Sequence, residues 1–168
     1  PPVTHHHHSI IPDGGSAQLD EEFGRGISAP RYGSYLRYGA NRFAAIFNLL
    51  ADPNTYPAII HCSAGKDRTG VSLALLLDLL GVDHDTIRDD YDLSNRSLEG
   101  LMDRVRAAGR PIDGDTPEEQ RRLYGAPPEA MAGFLELLSS EHGSARAYLE
   151  SIGVSSAGLD AIRGELLE

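Results

Sequence analysis

The chain has 168 residues, 40% hydrophobic and 24% charged, which is enough for one globular domain with a buried core. Its net charge of -10 at pH 7 opposes binding to nucleic acid or to an acidic membrane surface through long-range repulsion. No apolar run is long enough to span a bilayer, no signal peptide opens the chain, and its one cysteine cannot form an internal disulfide. We therefore expect a cytoplasmic protein with no nucleic-acid partner and no stable membrane insertion.

The N-terminal region carries four consecutive histidines at residues 5–8. Residues 3–11 predict a short strand, which the turn signal at 12–15 would end. Side chains on a strand alternate between its two faces, so four consecutive histidines converge poorly on one ion. A tag remnant and a metal site are alternatives, but we favour an ordinary edge strand or linker and predict no metal. Residues 16–33 show no regular period and predict a surface loop.

Apolar periodicity then predicts a series of helices and one strand. The predicted helices cover residues 34–50, 68–80, a segment capped by Asp83, 97–108, a short stretch at 118–123, 131–142, 144–152 and 155–167. The run Ala58-Ile59-Ile60 predicts a strand buried on both faces, just before the most apolar helix. We predict an α/β fold with a central, mostly parallel sheet flanked by helices. Residues 1–168 would form a single domain whose C-terminal part, 109–168, is helical.

Between the predicted strand and the apolar helix lies a polar loop, His-Cys-Ser-Ala-Gly-Lys-Asp-Arg-Thr-Gly, at residues 61–70. It contains the only cysteine and the only lysine of the chain, and Arg68 follows Cys62 by six positions. The small residues after Cys62 allow backbone N–H groups to converge on an anion at the start of a helix. This spacing is typical of a loop that surrounds a phosphate and holds it next to a thiolate.

Such a loop suits hydrolysis of a phosphate monoester through a cysteinyl-phosphate intermediate. A free thiol titrates near pH 8.5 and reactive ones at about 3.5–7.5. A shift of about three units requires ~4 kcal/mol, whereas a helix dipole contributes about 0.3–1 kcal/mol. Ionisation of Cys62 therefore also needs the backbone N–H groups, Arg68 and a hydroxyl such as that of Thr69. The Arg68 guanidinium can hold two phosphoryl oxygens at once.

Asp67 is unexpected in this loop, because a carboxylate next to an anion site is unfavourable. Either it pairs with Lys66 or a nearby arginine as part of the structure, or it is a protonated general acid for the leaving group. We leave both alternatives open. Lys66 is expected to add positive charge at the rim of the site.

The pattern His61-Cys62-x-x-Gly65-x-x-Arg68-Thr69 resembles the signature of the cysteine-dependent protein tyrosine phosphatases. The complete loop is similar to that of bacterial tyrosine and dual-specificity phosphatases, and the likeness covers roughly residues 34–168.

This resemblance implies that Cys62 is the nucleophile, that Arg68 binds phosphate, and that His61 and Thr69 tune the thiol. The implied phosphate cradle is formed by the backbone of Ser63, Ala64, Gly65, Lys66, Asp67 and Arg68. Because the family's separate loop aspartate has no match here, the acid role passes to Asp67. The upstream strands typical of the family are not seen either, so the sheet could be incomplete.

The resemblance further implies that the substrate is a protein phosphotyrosine. It also implies phosphoserine or phosphoinositides as further substrates, and it implies no cofactor. Some family members act outside the cell, which makes secretion without a visible signal the alternative to a cytoplasmic location. A silent phosphate-binding module is the rival function, and a buried structural cysteine or a sulfurtransferase fits less well. A nucleotide-binding loop is excluded because Asp67, not Ser or Thr, follows Lys66. Residues 16–33 and 109–128 are candidate lids.

Overall fold

The computed structural model describes residues 3–11 and 15–167, and helices account for most of that chain. In the described part the α-helices are α1 (Gly15–Phe23), α2 (Ala29–Tyr38), α3 (Ala40–Leu50), α4 (Asp67–Leu80), α5 (His84–Asp92), α6 (Leu98–Ala107), α7 (Pro117–Tyr124), α8 (Pro128–His142), α9 (Ala145–Ser151) and α10 (Ser156–Leu166). Short 3₁₀ turns at Pro53–Thr55 and Leu93–Ser97 follow α3 and α5.

One hydrophobic core connects the helices of the described chain. Helix α8 packs against α2, α5 and α9, and α4 packs against α5, α9 and α10. Its largest fully buried side chains are Tyr32, Tyr148, Phe43, Phe47, Phe134, Leu75, Ile87, Met131, Leu135, Leu138, Leu149 and Leu159. At roughly 1.5–3 kcal/mol for each fully buried large apolar side chain, this core is what holds α4 in place.

Several helix ends follow the local signals in the sequence. Gly81 ends α4 in the left-handed conformation with a φ of 90°, as a C-terminal glycine should. The Asp83 carboxylate caps α5 by accepting a hydrogen bond from the Thr86 N–H at 2.9 Å. Ser144 and Ser155 cap α9 and α10 in the same way. The helical C-terminal half, including the short α7, is confirmed.

The predictions for residues 16–50 were partly wrong. Residues 16–33 are not a loop, because α1 and the start of α2 lie there. The helix predicted over 34–50 is divided into α2 and α3 at Gly39. A Cβ at Gly39 would lie 2.6 Å from Ile10 Cγ2 and 2.7 Å from the Tyr35 carbonyl oxygen. The N-terminal segment therefore crosses the helix junction so closely that only glycine fits.

The predicted central sheet was wrong: residues 3–11 and 15–167 contain no β-strand. The Ala58-Ile59-Ile60 run has no regular secondary structure, and Ile59 is 89% exposed. A strand is stabilised by hydrogen bonds to a neighbouring strand, and no described segment pairs with this one. The apolar run was interpreted as a buried strand, but a run this short does not by itself establish a sheet.

The histidine-rich segment lies beside the start of the functional loop. The His5 ring is 6.4 Å from the His61 ring, and His6 stacks with His8 at the same centroid distance. Among the described side chains, no three potential ligands are grouped to hold a metal ion. Of the predicted turn at 12–15, residues 12–14 lie outside the described residues.

Within the described ranges, no helix has the length and apolar character that crossing a membrane requires.

Candidate active site

The loop at residues 61–66 leads directly into the first turn of α4. Lys66 precedes the helix, and its carbonyl accepts a hydrogen bond from the Gly70 N–H at 2.6 Å. Gly65 has a φ of 73°, a left-handed conformation that glycine adopts without strain. Ser63, Ala64 and Gly65 are exposed. The loop thus presents its backbone to solvent at the positive end of a buried helix, where an anion binds favourably.

Cys62 is a free, partly buried cysteine within this loop. The Gly65 N–H donates a hydrogen bond to its Sγ over 3.2 Å. Burial raises the pKa of the thiol, but hydrogen bonds from the Thr69 side chain and backbone, from the Gly65 N–H, and the charge of Arg68 lower it by more. The net result is a Cys62 pKa below its ordinary value, which favours the nucleophilic thiolate.

Thr69 supplies the largest of the effects that lower this pKa. Its Oγ1 is buried, and within the described chain it makes no hydrogen bond of regular geometry. The hydroxyl therefore lies near the sulfur without an aligned bond in the resting site. The lowered pKa of Cys62 identifies it as a donor to the ionised sulfur.

Arg68 lies directly before Thr69 in the first turn of α4 and is partly buried. Its guanidinium forms no salt bridge with any carboxylate in the described ranges, whereas its carbonyl accepts a hydrogen bond from the Ser72 hydroxyl at 2.8 Å. A planar cation without a carboxylate partner among the described residues, whose charge acts on the Cys62 thiol, is suited to hold phosphoryl oxygens.

Lys66 does not lie at the rim of the site, contrary to expectation. It is buried, with 8% of its surface exposed, and its Nζ lies 2.6 Å from Asp67 Oδ1. The same carboxylate oxygen accepts a hydrogen bond from the Tyr32 hydroxyl at 2.6 Å. In the resting site the unexpected carboxylate is therefore paired with the lysine next to it.

Sequence reasoning identified neither Tyr32 nor Tyr91 as part of the site. Their hydroxyl oxygens are 2.5 Å apart, and Tyr32 is fully buried. Tyr32 lies in a stretch without regular period, so no local signal identified it. A tyrosine hydroxyl buried in a core requires a hydrogen-bond partner, but the sequence does not show where that partner lies.

His61, predicted to tune the thiol, is exposed, and its Nδ1 lies 3.4 Å from the Cys62 carbonyl oxygen. The structure thus brings together Cys62, Thr69 and Arg68 around the loop, with Lys66 and Asp67 paired behind it.

Comparison with known sequences identifies the family to which this arrangement belongs. The sequence model of the tyrosine phosphatase family matches residues 2–168, so the chain belongs to that family.

Two curated relatives are similar to the chain over much of its length. A tyrosine-protein phosphatase of Nostoc commune is 34% identical over 144 residues, which cover 80% of this chain and 47% of that protein. The triple specificity protein phosphatase PtpB of Mycobacterium tuberculosis (strain ATCC 25618 / H37Rv) is 35% identical over 121 residues, covering 66% of this chain and 44% of that protein. The chain thus spans about half the length of these relatives.

Proposed function

We propose that this chain carries the catalytic loop of a cysteine-dependent phosphomonoester hydrolase of the tyrosine phosphatase type. The observation that carries the proposal is the hydrogen bond from the Gly65 N–H to Cys62 Sγ at 3.2 Å, in an exposed loop that leads into the first turn of α4, and the lowered pKa of Cys62 agrees with it. Membership of the tyrosine phosphatase family supports it. The proposed substrate is a protein phosphotyrosine, and the triple specificity in the name of the PtpB relative makes phosphoserine and phosphoinositide substrates worth testing as well.

In the proposed reaction the Cys62 thiolate attacks phosphorus opposite the leaving oxygen. An S–P bond forms, the P–O bond to the leaving group breaks, and that oxygen takes the bond's electron pair together with a proton. Water then attacks the cysteinyl-phosphate, breaks the S–P bond and restores the thiolate, releasing inorganic phosphate.

Arg68 and the backbone N–H groups of residues 63–68 are proposed to hold the three phosphoryl oxygens throughout. A guanidinium without a carboxylate partner can bind two of them in parallel, and the exposed loop backbone reaches the third. His61 and Thr69 are proposed to adjust the thiol rather than to touch the phosphate.

Asp67 is proposed as the proton donor in the substrate complex. In the resting site its Oδ1 accepts hydrogen bonds from Lys66 and Tyr32, so Oδ2 is the atom that would carry the proton. The charge of a bound phosphate dianion favours proton uptake by a neighbouring carboxylate.

The test is hydrolysis of a small aryl phosphate by Cys62→Ser, with phosphate binding measured in parallel. We expect turnover to fall by at least about a thousandfold, because a serine hydroxyl is not ionised at neutral pH, while phosphate still binds. Hydrolysis that persists in the variant would exclude the covalent mechanism. Phosphate binding without any turnover in the unaltered chain would instead support a silent phosphate-binding module.

A reducing compartment is the proposed location, because the mechanism requires the Cys62 thiol to stay reduced. Export is the alternative.

A further inference from the structure

The Asp67 carboxylate is tied to two helices that are distant in sequence. Tyr32 on α2 donates a hydrogen bond to Asp67 Oδ1 at 2.6 Å, and Tyr91 on α5 lies 2.5 Å from the Tyr32 hydroxyl oxygen. Each tyrosine hydroxyl has a single hydrogen. Because Tyr32 uses its hydrogen for Asp67, Tyr91 must donate to Tyr32. The order of donation is therefore Tyr91 to Tyr32 to Asp67, with Lys66 donating to the same carboxylate oxygen.

Both tyrosines that donate these hydrogen bonds are buried. Tyr32 has no exposed surface and Tyr91 is 5% exposed. Burial, followed by the charge of Asp67, raises the pKa of Tyr32, and burial likewise raises the pKa of Tyr91. Both hydroxyls therefore keep the hydrogen that each donates in this order.

The direction of the carboxylate is the second observation. Asp67 Oδ1 points toward a fully buried hydroxyl and a buried ammonium group, whereas Ser63, Ala64 and Gly65 face solvent. A carboxylate rotated toward the loop would repel both the thiolate and a bound phosphate. Its Oδ1 is instead held by two buried donors, although 25% of the Asp67 side chain is exposed.

We propose that Tyr32 and Tyr91 are positioning residues that fix Asp67 Oδ1 toward the interior and prevent the charged carboxylate from rotating over the anion site, where it would oppose Cys62 ionisation and phosphate binding; Oδ2 stays available as the proton donor. The inference rests on the proposed function, because Cys62 must be the reactive thiolate, but its tests require no turnover. It assigns a role to two core tyrosines on helices outside the loop.

The experiment compares Tyr32→Phe with the unaltered chain in two measurements. The pH dependence of Cys62 alkylation by iodoacetamide gives the thiol pKa, and calorimetry gives the affinity for inorganic phosphate. We expect the thiol pKa to rise by roughly half a unit and phosphate to bind about fivefold more weakly, because a freed carboxylate approaches the anion site. Tyr91→Phe should shift both measurements in the same direction by less.

Two controls separate positioning from general loss of packing. Tyr148 is equally buried and donates its hydroxyl to the Leu36 carbonyl at 2.7 Å, so Tyr148→Phe removes a comparable hydrogen bond away from the loop and should change neither measurement. In an Asp67→Asn background the charge to be held is gone, and Tyr32→Phe should then have no effect on the thiol pKa.

The proposal is overturned if Tyr32→Phe leaves the thiol pKa unchanged, if Tyr148→Phe shifts it equally, or if the shift persists with Asp67→Asn. An unaltered chain that neither turns over substrate nor binds phosphate would contradict the proposed function. The alkylation measurement would still decide the role of the tyrosines.

Discussion

At the scale of single residues, the Thr69 hydroxyl lies beside Cys62 in the first turn of α4, buried and without an aligned partner in the described chain. While the Cys62 thiol is protonated, this buried hydroxyl lacks a hydrogen-bond partner, which costs free energy. The thiolate removes that penalty by accepting its hydrogen bond. Thr69 therefore lowers the pKa of Cys62 by donating to the ionised sulfur.

Thr69→Val removes this hydroxyl at nearly constant shape, and we expect the pKa of Cys62 to rise by about one unit. The measurement is the pH dependence of alkylation, whose midpoint should move to higher pH. Thr69→Ser keeps the hydroxyl and is the matched control, with little expected change. An unmoved midpoint in Thr69→Val would show that the backbone N–H groups and Arg68 suffice.

The lowered Cys62 pKa also predicts how stability depends on pH. Because the pKa in the folded state lies below that of the unfolded chain, ionisation contributes stability that is fully present above the unfolded pKa and is lost as pH falls through the folded pKa. Denaturant unfolding should therefore show this contribution at alkaline pH, and Cys62→Ser should abolish it. An identical pH dependence in both proteins would contradict the lowered pKa.

The Arg68 side chain allows a test of geometry at constant charge. Arg68→Lys keeps the positive charge but loses the planar pair of donors, and we expect kcat/KM on an aryl phosphate to fall about 100-fold. The same exchange at exposed Arg42 on α3 is the control and should have no effect. Equal activity of Arg68→Lys and the unaltered chain would rule out two-point binding of the phosphoryl group.

At the scale of elements, the position of α4 depends on its close approach to α5. A Cβ at Gly70 would lie 2.9 Å from two atoms of the Tyr91 ring, which is closer than real side chains come. The ring cannot withdraw freely, because its hydroxyl is hydrogen-bonded to Tyr32. Packing thus requires glycine at position 70. From the sequence alone, Gly70 is only the last residue of the candidate catalytic loop.

Gly70→Ala should consequently destabilise the protein by about 1–3 kcal/mol, as overpacking of a core does, and should disturb the loop. Gly164 on α10 has open space at the same position, so Gly164→Ala should stabilise by roughly 0.5–1 kcal/mol through helix propensity. Urea unfolding of both variants measures the difference. Equal effects would mean that α4 and α5 are farther apart than described.

How much the sequence could predict differs between elements for physical reasons. Helices α4 to α10 and the caps at Gly81 and Asp83 were predictable because their signals are local in sequence. The loop at residues 61–70 could be singled out as the candidate site because its residue types and spacing are specific and local in sequence. Two features depend on contacts between segments that are distant in sequence, which no local pattern specifies. A sheet would need a neighbouring strand for the segment at Ile59, and the hydrogen bond between Tyr32 and Asp67 needs α2 to lie beside the loop.

At the scale of the whole molecule, the described chain is a helical body with one core and with apolar side chains left exposed at its loop side. Ile59 is 89% exposed and Val3 94% exposed, while Phe134 and the other large core residues are fully buried. The chain also spans about half the length of its curated relatives. That residues 1–168 form a single domain remains our prediction, supported by the one continuous core.

Two substitutions test this distribution of burial in the 168-residue chain. Ile59→Thr should change the free energy of unfolding by no more than about 0.5 kcal/mol, because the side chain is already in water. Phe134→Ala should reduce it by about 3–5 kcal/mol. Chemical denaturation of the two variants would measure both, and a large loss in Ile59→Thr would mean that this residue is covered in solution.

The single cysteine has a consequence for oxidation. With no second thiol in the 168 residues, a sulfenic acid formed at Cys62 has no internal partner with which to close a disulfide. It can be protected only by an external thiol or by condensation with a backbone nitrogen, and otherwise further oxidation is irreversible. The environment that lowers the pKa of Cys62 and favours its thiolate also makes this sulfur susceptible to oxidation by peroxide.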